Sequence, residues 1–381
     1  MTVHFVVLFS ICFLAIHYFG KNKSERVNER NRKLFIILSM LILFLVIALR
    51  AYVVGLDTRT YHFYYERMST RSASYVDLLS WEPLYLLFCR IGIWIGSFQV
   101  VTILCAVVTC GGFGYFLWST AKERWEAFWY LYFFITLNLY FNSMHLMRQI
   151  CAMALVINVY PVLRKDNGPK GWIKTAILVA LGTGFHITAP IFALPIIFPL
   201  VLKKVDRKTI CFAVIMGIIG CLLITYGEQW IIATVDRFSK YQGDDRLETS
   251  NMGIYSWVLI GVKLFLLYVA LKLDPKKPEN KEIYQLTFIH IAATAFYVLQ
   301  SRTQFALRIG YWYEMYFPLY IYKVVNRVSP KKSRKLLLLL FFLFGLAYFF
   351  YMMQFGGNKS NRRTVPYYFF WEDFPTAFFI S

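Results

Sequence analysis

Six side chains in this 381-residue sequence have the types and setting for reaction chemistry: Asp57, Glu82, Arg148, His186, Arg302 and Arg308. A carboxylate or an imidazole can take the proton from an attacking hydroxyl, and an imidazole can also donate to a phosphate oxygen. An arginine can grip a phosphate or pyrophosphate through a planar fork of donors, which a lysine cannot do. Other chemistries have no foothold. The sequence has no G-x-S-x-G, no G-x-x-x-x-G-K, no H-E-x-x-H, and no D-x-D or D-D-x-x-D at an outer helix end. Asp244 and Asp245, in QGDDRLE, read as a solvated loop, so a metal-held nucleotide sugar has no support. The seven cysteines all lie in apolar runs, with no C-x-x-C pair, and read as small packing residues rather than disulfides or zinc ligands.

These groups must be positioned by membrane helices. The chain is 58% apolar and 16% charged, with a mean hydropathy of +0.51, well outside the range of a soluble domain. About a dozen apolar runs divide it, from Val3–Phe19 to Leu336–Met353. The expected fold is therefore all-α and polytopic, with about 11–13 membrane helices including re-entrant or broken ones. No repeat or soluble domain is evident, and the chain reads as one integral membrane domain over 1–381. The net charge of +20 is ordinary for cytoplasmic loops and does not call for nucleic acid.

Five short basic loops, 21–33, 164–174, 203–208, 272–282 and 323–335, are placed in the cytoplasm. Ala176–Leu202 joins two of them, so it must enter and leave on one side, breaking near His186 into a hairpin of two short helices. That puts His186 at the outer interface. In the N-terminal half one run must fail to cross. Pro83–Gly96, short and carrying Arg90, is read as interfacial or re-entrant on the outer side. The external segments are then 50–82, 142–149, 227–254, 300–308 and the tail 356–381, with both termini outside. The first run, lacking a cleavage pattern, stays as an uncleaved span.

Once the sides are assigned, the basic residues segregate. The inner loops hold 17 Lys and seven Arg, whereas the outer segments hold 11 Arg and two Lys. The outer face is thus an arginine surface, and Arg148, Arg302 and Arg308 sit at helix ends on it. Snorkelling to lipid headgroups is the plainer account for Arg362 and Arg363. In the loop after Leu49, Asp57 can serve as an N-cap to a helix beginning near Thr58 and also carry chemistry. Tyr61 and Tyr65 fall at i and i+4, where their rings can cover a sugar, although an interfacial aromatic belt explains Phe63 and Tyr64 equally well. Lys263 and Glu314 stand out within otherwise uncharged spans; a lone pair is thin evidence for ion coupling.

Five motifs recur in order. They are Gly55-Leu56-Asp57 with Tyr61; Glu82-Pro83-Leu84-Tyr85; Arg148-Gln149-Ile150-Cys151-Ala152; His186-Ile187-Thr188-Ala189; and Arg308-Ile309-Gly310-Tyr311 before Pro318. Together they resemble the EpsG family of Wzy-type polysaccharide polymerases. Leu84 and Cys151 depart from the family pattern, at positions that concern helix packing more than chemistry.

The resemblance implies a glycosyltransferase of the bacterial inner or plasma membrane, working on the outer leaflet with a GT-C-related architecture. It would polymerise undecaprenyl-pyrophosphate-linked oligosaccharide repeat units, which act as both donor and acceptor, into exopolysaccharide, capsule or O-antigen. The implied chemistry is inverting, metal-independent and without a cofactor. Asp57, Glu82 and His186 are the candidate catalytic groups, with the two carboxylates preferred as base and His186 on the phosphate or acceptor side. Arg148, Arg302 and Arg308 would hold pyrophosphate, and Tyr61, Tyr65 and Tyr311 would cover sugars. A flippase and a chain-length regulator are the expected partners. Competing readings are a flippase or transporter of lipid-linked sugars, an O-antigen-ligase-like enzyme, and a membrane O-acyltransferase.

Overall fold

The computed structural model describes residues 1–21, 24–70, 81–202, 204–234, 254–300, 304–356 and 364–374. Among the described residues the regular structure is helical, and the one backbone pairing of strand type is an isolated bridge between Arg50 and Phe369. Among the described residues five helices are long and apolar enough to cross a membrane, so the chain is an all-α polytopic membrane protein. It divides into two compact units, Met1–Ala193 with Phe342–Ser381, and Leu194–Phe341.

The first unit begins with α1 (Thr2–Phe19) and α2 (Glu25–Ala48), followed by α3 (Leu56–Thr70), α4 (Pro83–Ile95) and α5 (Phe98–Thr120). Helix α4 is 13 residues long, about 20 Å at 1.5 Å per residue, which is short of a ~30 Å hydrocarbon layer. It stops at Gly96, whose φ of +84° is left-handed and closes the helix as a glycine C-cap does. The Ser97 side chain then accepts from Gln99 N–H and starts α5.

The next two apolar runs are not continuous helices. Arg124–Thr136 (α6) ends at Leu137, Asn138 turns at φ +65°, and Leu139–His145 (α7) follows. Leu146 then separates α7 from Met147–Val156 (α8), and Ile157–Asn158 separates that helix from Val159–Lys165 (α9). Asn138, Asn142 and Asn158 are buried at these interruptions. The Asn158 amide pays for one break by donating to the carbonyls of Gly112 and Ala154, at 3.0 and 2.8 Å.

Pro169–Phe185 (α10) and Ala189–Val201 (α11) flank the break expected near His186. Helix α5 is the central post of this unit, packed against α2, α4 and α8, while α10 lies against α8, α9 and α4. Residues 364–374 return to the end of α2: Ala51 N–H donates to Tyr368 O, Phe370 N–H to Leu49 O, and the Tyr367 hydroxyl to Val46 O.

The second unit contains Arg207–Thr234 (α12), Ile254–Lys272 (α13), Lys281–Leu299 (α14), Gln304–Glu314 (α15), Phe317–Val325 (α16) and the first part of Lys331–Tyr351 (α17). Helix α14 is its post, contacting α12, α13, α15 and α16. Here Lys263 and Glu314 meet: the Lys263 ammonium donates to both carboxylate oxygens at 2.7 and 2.8 Å and lies 3.9 Å from the Phe317 ring centre. The His290 imidazole reaches the Lys263 carbonyl at 3.0 Å, so the pair sewn between α13 and α15 is also tied to α14. Its partners are all structural.

Candidate active site

Four segments of the first unit converge on Arg148, the second residue of α8. Its Nη1 donates to Glu82 Oε2 at 2.6 Å, a charge-assisted hydrogen bond within an ion pair whose side chains are 20% and 6% exposed. The other oxygen of Glu82, Oε1, accepts from Ile187 N–H at 3.2 Å. One carboxylate therefore links α4, α8 and the break after α10. The guanidinium also bonds to the Tyr61 hydroxyl and lies 5.6, 5.3 and 6.0 Å from the rings of Tyr61, Trp81 and Tyr85. Its Nε is buried and has no hydrogen-bond partner among the described residues. A cation held this way keeps donors to spare for a phosphate oxygen.

Two glycines permit the convergence. A Cβ built on Gly184 of α10 would lie 2.6 Å from Leu84 of α4, a close approach that sets Ile187 over Glu82. The bulk of Leu84 is met by the missing side chain opposite. Gly55, at φ +95°, would carry a Cβ 2.1 Å from the Met144 carbonyl oxygen, so only glycine lets the loop after α2 lie on α7. The Thr58 hydroxyl donates to the same carbonyl at 2.7 Å.

That contact brings Asp57 to His145, the last residue of α7. Asp57 N–H donates to His145 Nδ1 at 3.3 Å, and Asp57 Oδ1 lies 3.7 Å from the same nitrogen. The cap expectation is corrected: α3 starts at Leu56, so Asp57 sits within its first turn rather than before it. Only Leu146 and Met147 lie between His145 and Arg148. The carboxylate–imidazole pair and the Arg148 cluster consequently meet along α3, where Asp57 and Tyr61 are one turn apart.

His186, at the C-cap of α10, is half-buried and pairs through Nδ1 with the Thr188 hydroxyl at 2.7 Å. Tyr65 is buried, with its ring 5.2 Å from Phe98 and in contact with the Gly92 position. That surface packs against α5 and α4. Arg308 and Tyr311 belong to the second unit, in α15, Arg308 exposed and Tyr311 buried; Arg302 lies outside the described residues.

Sequence reasoning missed three residues of this cluster. His145 lies three residues before Arg148, a signal readable in HLMRQ; Trp81 and Tyr85 flank Glu82, and only the fold turns their rings toward the guanidinium. Arg50 was likewise not singled out. It is fully buried at the end of α2, its Nη1 donating to Ile47 O while Nε and Nη2 have no partner among the described residues.

Compared with known families, residues 33–369 match the EpsG family. The chain belongs to that family. EpsG-family chains are membrane proteins of the Wzy-type polymerase kind, and the match covers every motif named above. No curated protein and no solved structure matches the sequence.

Proposed function

We propose that this EpsG-family chain is a glycosyltransferase of the outer leaflet that joins oligosaccharide repeat units carried on undecaprenyl pyrophosphate. The observation that carries the reading is Arg148: a cation oriented by a buried carboxylate and walled by three aromatic rings, one of which, Tyr61, stands one helical turn from Asp57. The half-buried Trp81 ring suits a sugar face, and the guanidinium suits the pyrophosphate next to it.

In the proposed reaction, a hydroxyl of the acceptor unit attacks the anomeric carbon of the glycan on the donor lipid. The new C–O bond forms as the bond from that carbon to pyrophosphate breaks. Charge grows on the leaving oxygen, where Arg148 and the His186 edge supply fixed donors. Asp57, whose backbone N–H is held by His145 Nδ1, takes the hydroxyl proton, and a base opposite the leaving group gives inversion at the anomeric carbon. Glu82 has both oxygens engaged and acts as the positioning residue for Arg148 and the Ile187 amide. The donor arrives already activated, so the chemistry calls on side chains alone.

The test is reconstitution. Purified chain with a defined lipid-linked repeat unit should convert single units to a ladder of longer ones. Translocation of the unit across vesicles with no ladder would support the flippase reading in its place.

A further inference from the structure

The second unit carries a groove that the proposed chemistry does not use. Helices α11 and α12 form its rims and α14 its floor, enclosing about 530 Å³. Its lining is apolar throughout: Phe198 and Leu194 on one rim, Phe212 and Met216 on the other, and Ala292 and Ala295 beneath. The rim side chains are exposed, so the groove opens sideways between α11 and α12, toward lipid. Its apolar lining suits a hydrocarbon chain. Along α14 the lining runs from Phe288 to Leu299, about 16 Å of helix.

The groove is pinned at both ends. Near its base Gln285 Nε2 donates to Pro199 O and the Phe198 and Phe288 rings sit 5.3 Å apart; near its far end Cys221 Sγ donates to Ala295 O. The loop joining the two rims is basic. Val205 buries itself with Ile210 and Tyr284, and Asp206 accepts from Thr209 N–H at 3.1 Å to start α12. This fixes the loop and leaves Lys204, Arg207 and Lys208 exposed, with Lys281 at the start of α14 also exposed. Lys204 is paired with Asp206, and the others have no ion-pair partner among the described residues. The positive charge therefore stands one to two turns below the mouth of a slot that suits an acyl chain.

We infer that this groove binds an acyl chain of an anionic glycerophospholipid of the inner leaflet, with its phosphate on Arg207, Lys208 and Lys281. The inference rests on the cytoplasmic side of loop 203–208, read from its charge, and not on the transferase reading. Glycerophospholipid is favoured over the polyprenyl carrier because the charge lies at the inner end.

The test counts lipid retained by the full chain, purified from nanodiscs of phosphatidylglycerol and phosphatidylcholine and read by native mass spectrometry. Wild type should keep about one phosphatidylglycerol. A Cβ on Gly220 meets no atom within 4 Å, so Gly220→Phe fills the groove without a backbone clash and should abolish retention. Arg207→Gln with Lys208→Gln leaves the apolar slot intact and should weaken retention about ten- to thirtyfold, with phosphatidylcholine then competing equally. Equal retention of phosphatidylcholine by wild type, full retention by Gly220→Phe, or displacement of the bound lipid by stoichiometric polyprenyl phosphate would each overturn the inference. Ladder formation is not the readout, so the two proposals fail separately.

Discussion

Glu82→Gln probes the ion pair that organises the candidate site. The wild-type carboxylate serves two donors with two oxygens, Arg148 Nη1 at 2.6 Å and Ile187 N–H at 3.2 Å. Glutamine has one acceptor oxygen for the same two donors, so its amide NH2 faces either the guanidinium or the peptide N–H. The substitution also strands a guanidinium that is four-fifths buried. Breaking a buried pair by removing one partner costs about 3–5 kcal/mol. In a domain of this size 1 kcal/mol moves the midpoint by roughly 2 °C, so Tm in detergent should drop by about 6–10 °C. Ladder synthesis should fall in parallel, because Arg148 loses its orientation before it loses its charge. The double variant Glu82→Gln with Arg148→Met removes both charges at similar volume. It should recover most of the lost stability while staying inactive. Wild-type Tm and a normal ladder from Glu82→Gln would refute the positioning role. A double variant as unstable as the single one would show that the cost is not an uncompensated charge.

Three further outcomes are expected. Asp57→Asn keeps shape and hydrogen bonding but removes the proton acceptor, so single-turnover rates should fall about 10²-fold to 10⁴-fold with little change in Tm; a normal rate would move the base assignment elsewhere. Lys263→Met, which strands the buried Glu314, should destabilise by about 3–5 kcal/mol, and Lys263→Met with Glu314→Leu should be close to wild type in thermal melts; an equally unstable double variant would count against a purely structural pair. In a cysteine-free background, a cysteine at Asn167 should resist an impermeant thiol reagent in intact cells and react after permeabilisation; labelling from outside would invert the placement of α10 and α11.

Much of this protein was legible in its sequence because the bilayer enforces simple rules. Backbone groups without water must pair within a helix, so apolar runs of span length announce helices without any tertiary information. Gly55 and Gly96 stand where the structure turns, and Pro190 lies in the first turn of α11 after the break at His186, whereas Pro195 and Pro199 lie within that helix. Asp57, Glu82, Arg148 and His186 could be picked out as scarce polar groups at helix ends, and Arg148 does begin a helix. What sequence could not show is which of these groups spend their valences on each other. Glu82 and Asp57 look alike as acids, yet one is saturated by Arg148 and the Ile187 amide and the other stands beside His145. That difference is made by contacts across 66, 105 and 88 residues of chain. Tyr61 and Tyr65 share a helical face by spacing, but only packing against Phe98 decides that Tyr65 belongs to the core. The breaks at Asn138, Leu146 and Asn158 were equally hidden, because an apolar run has the composition of a straight span. Whether it stays straight depends on buried amides and carbonyls that neighbouring helices supply.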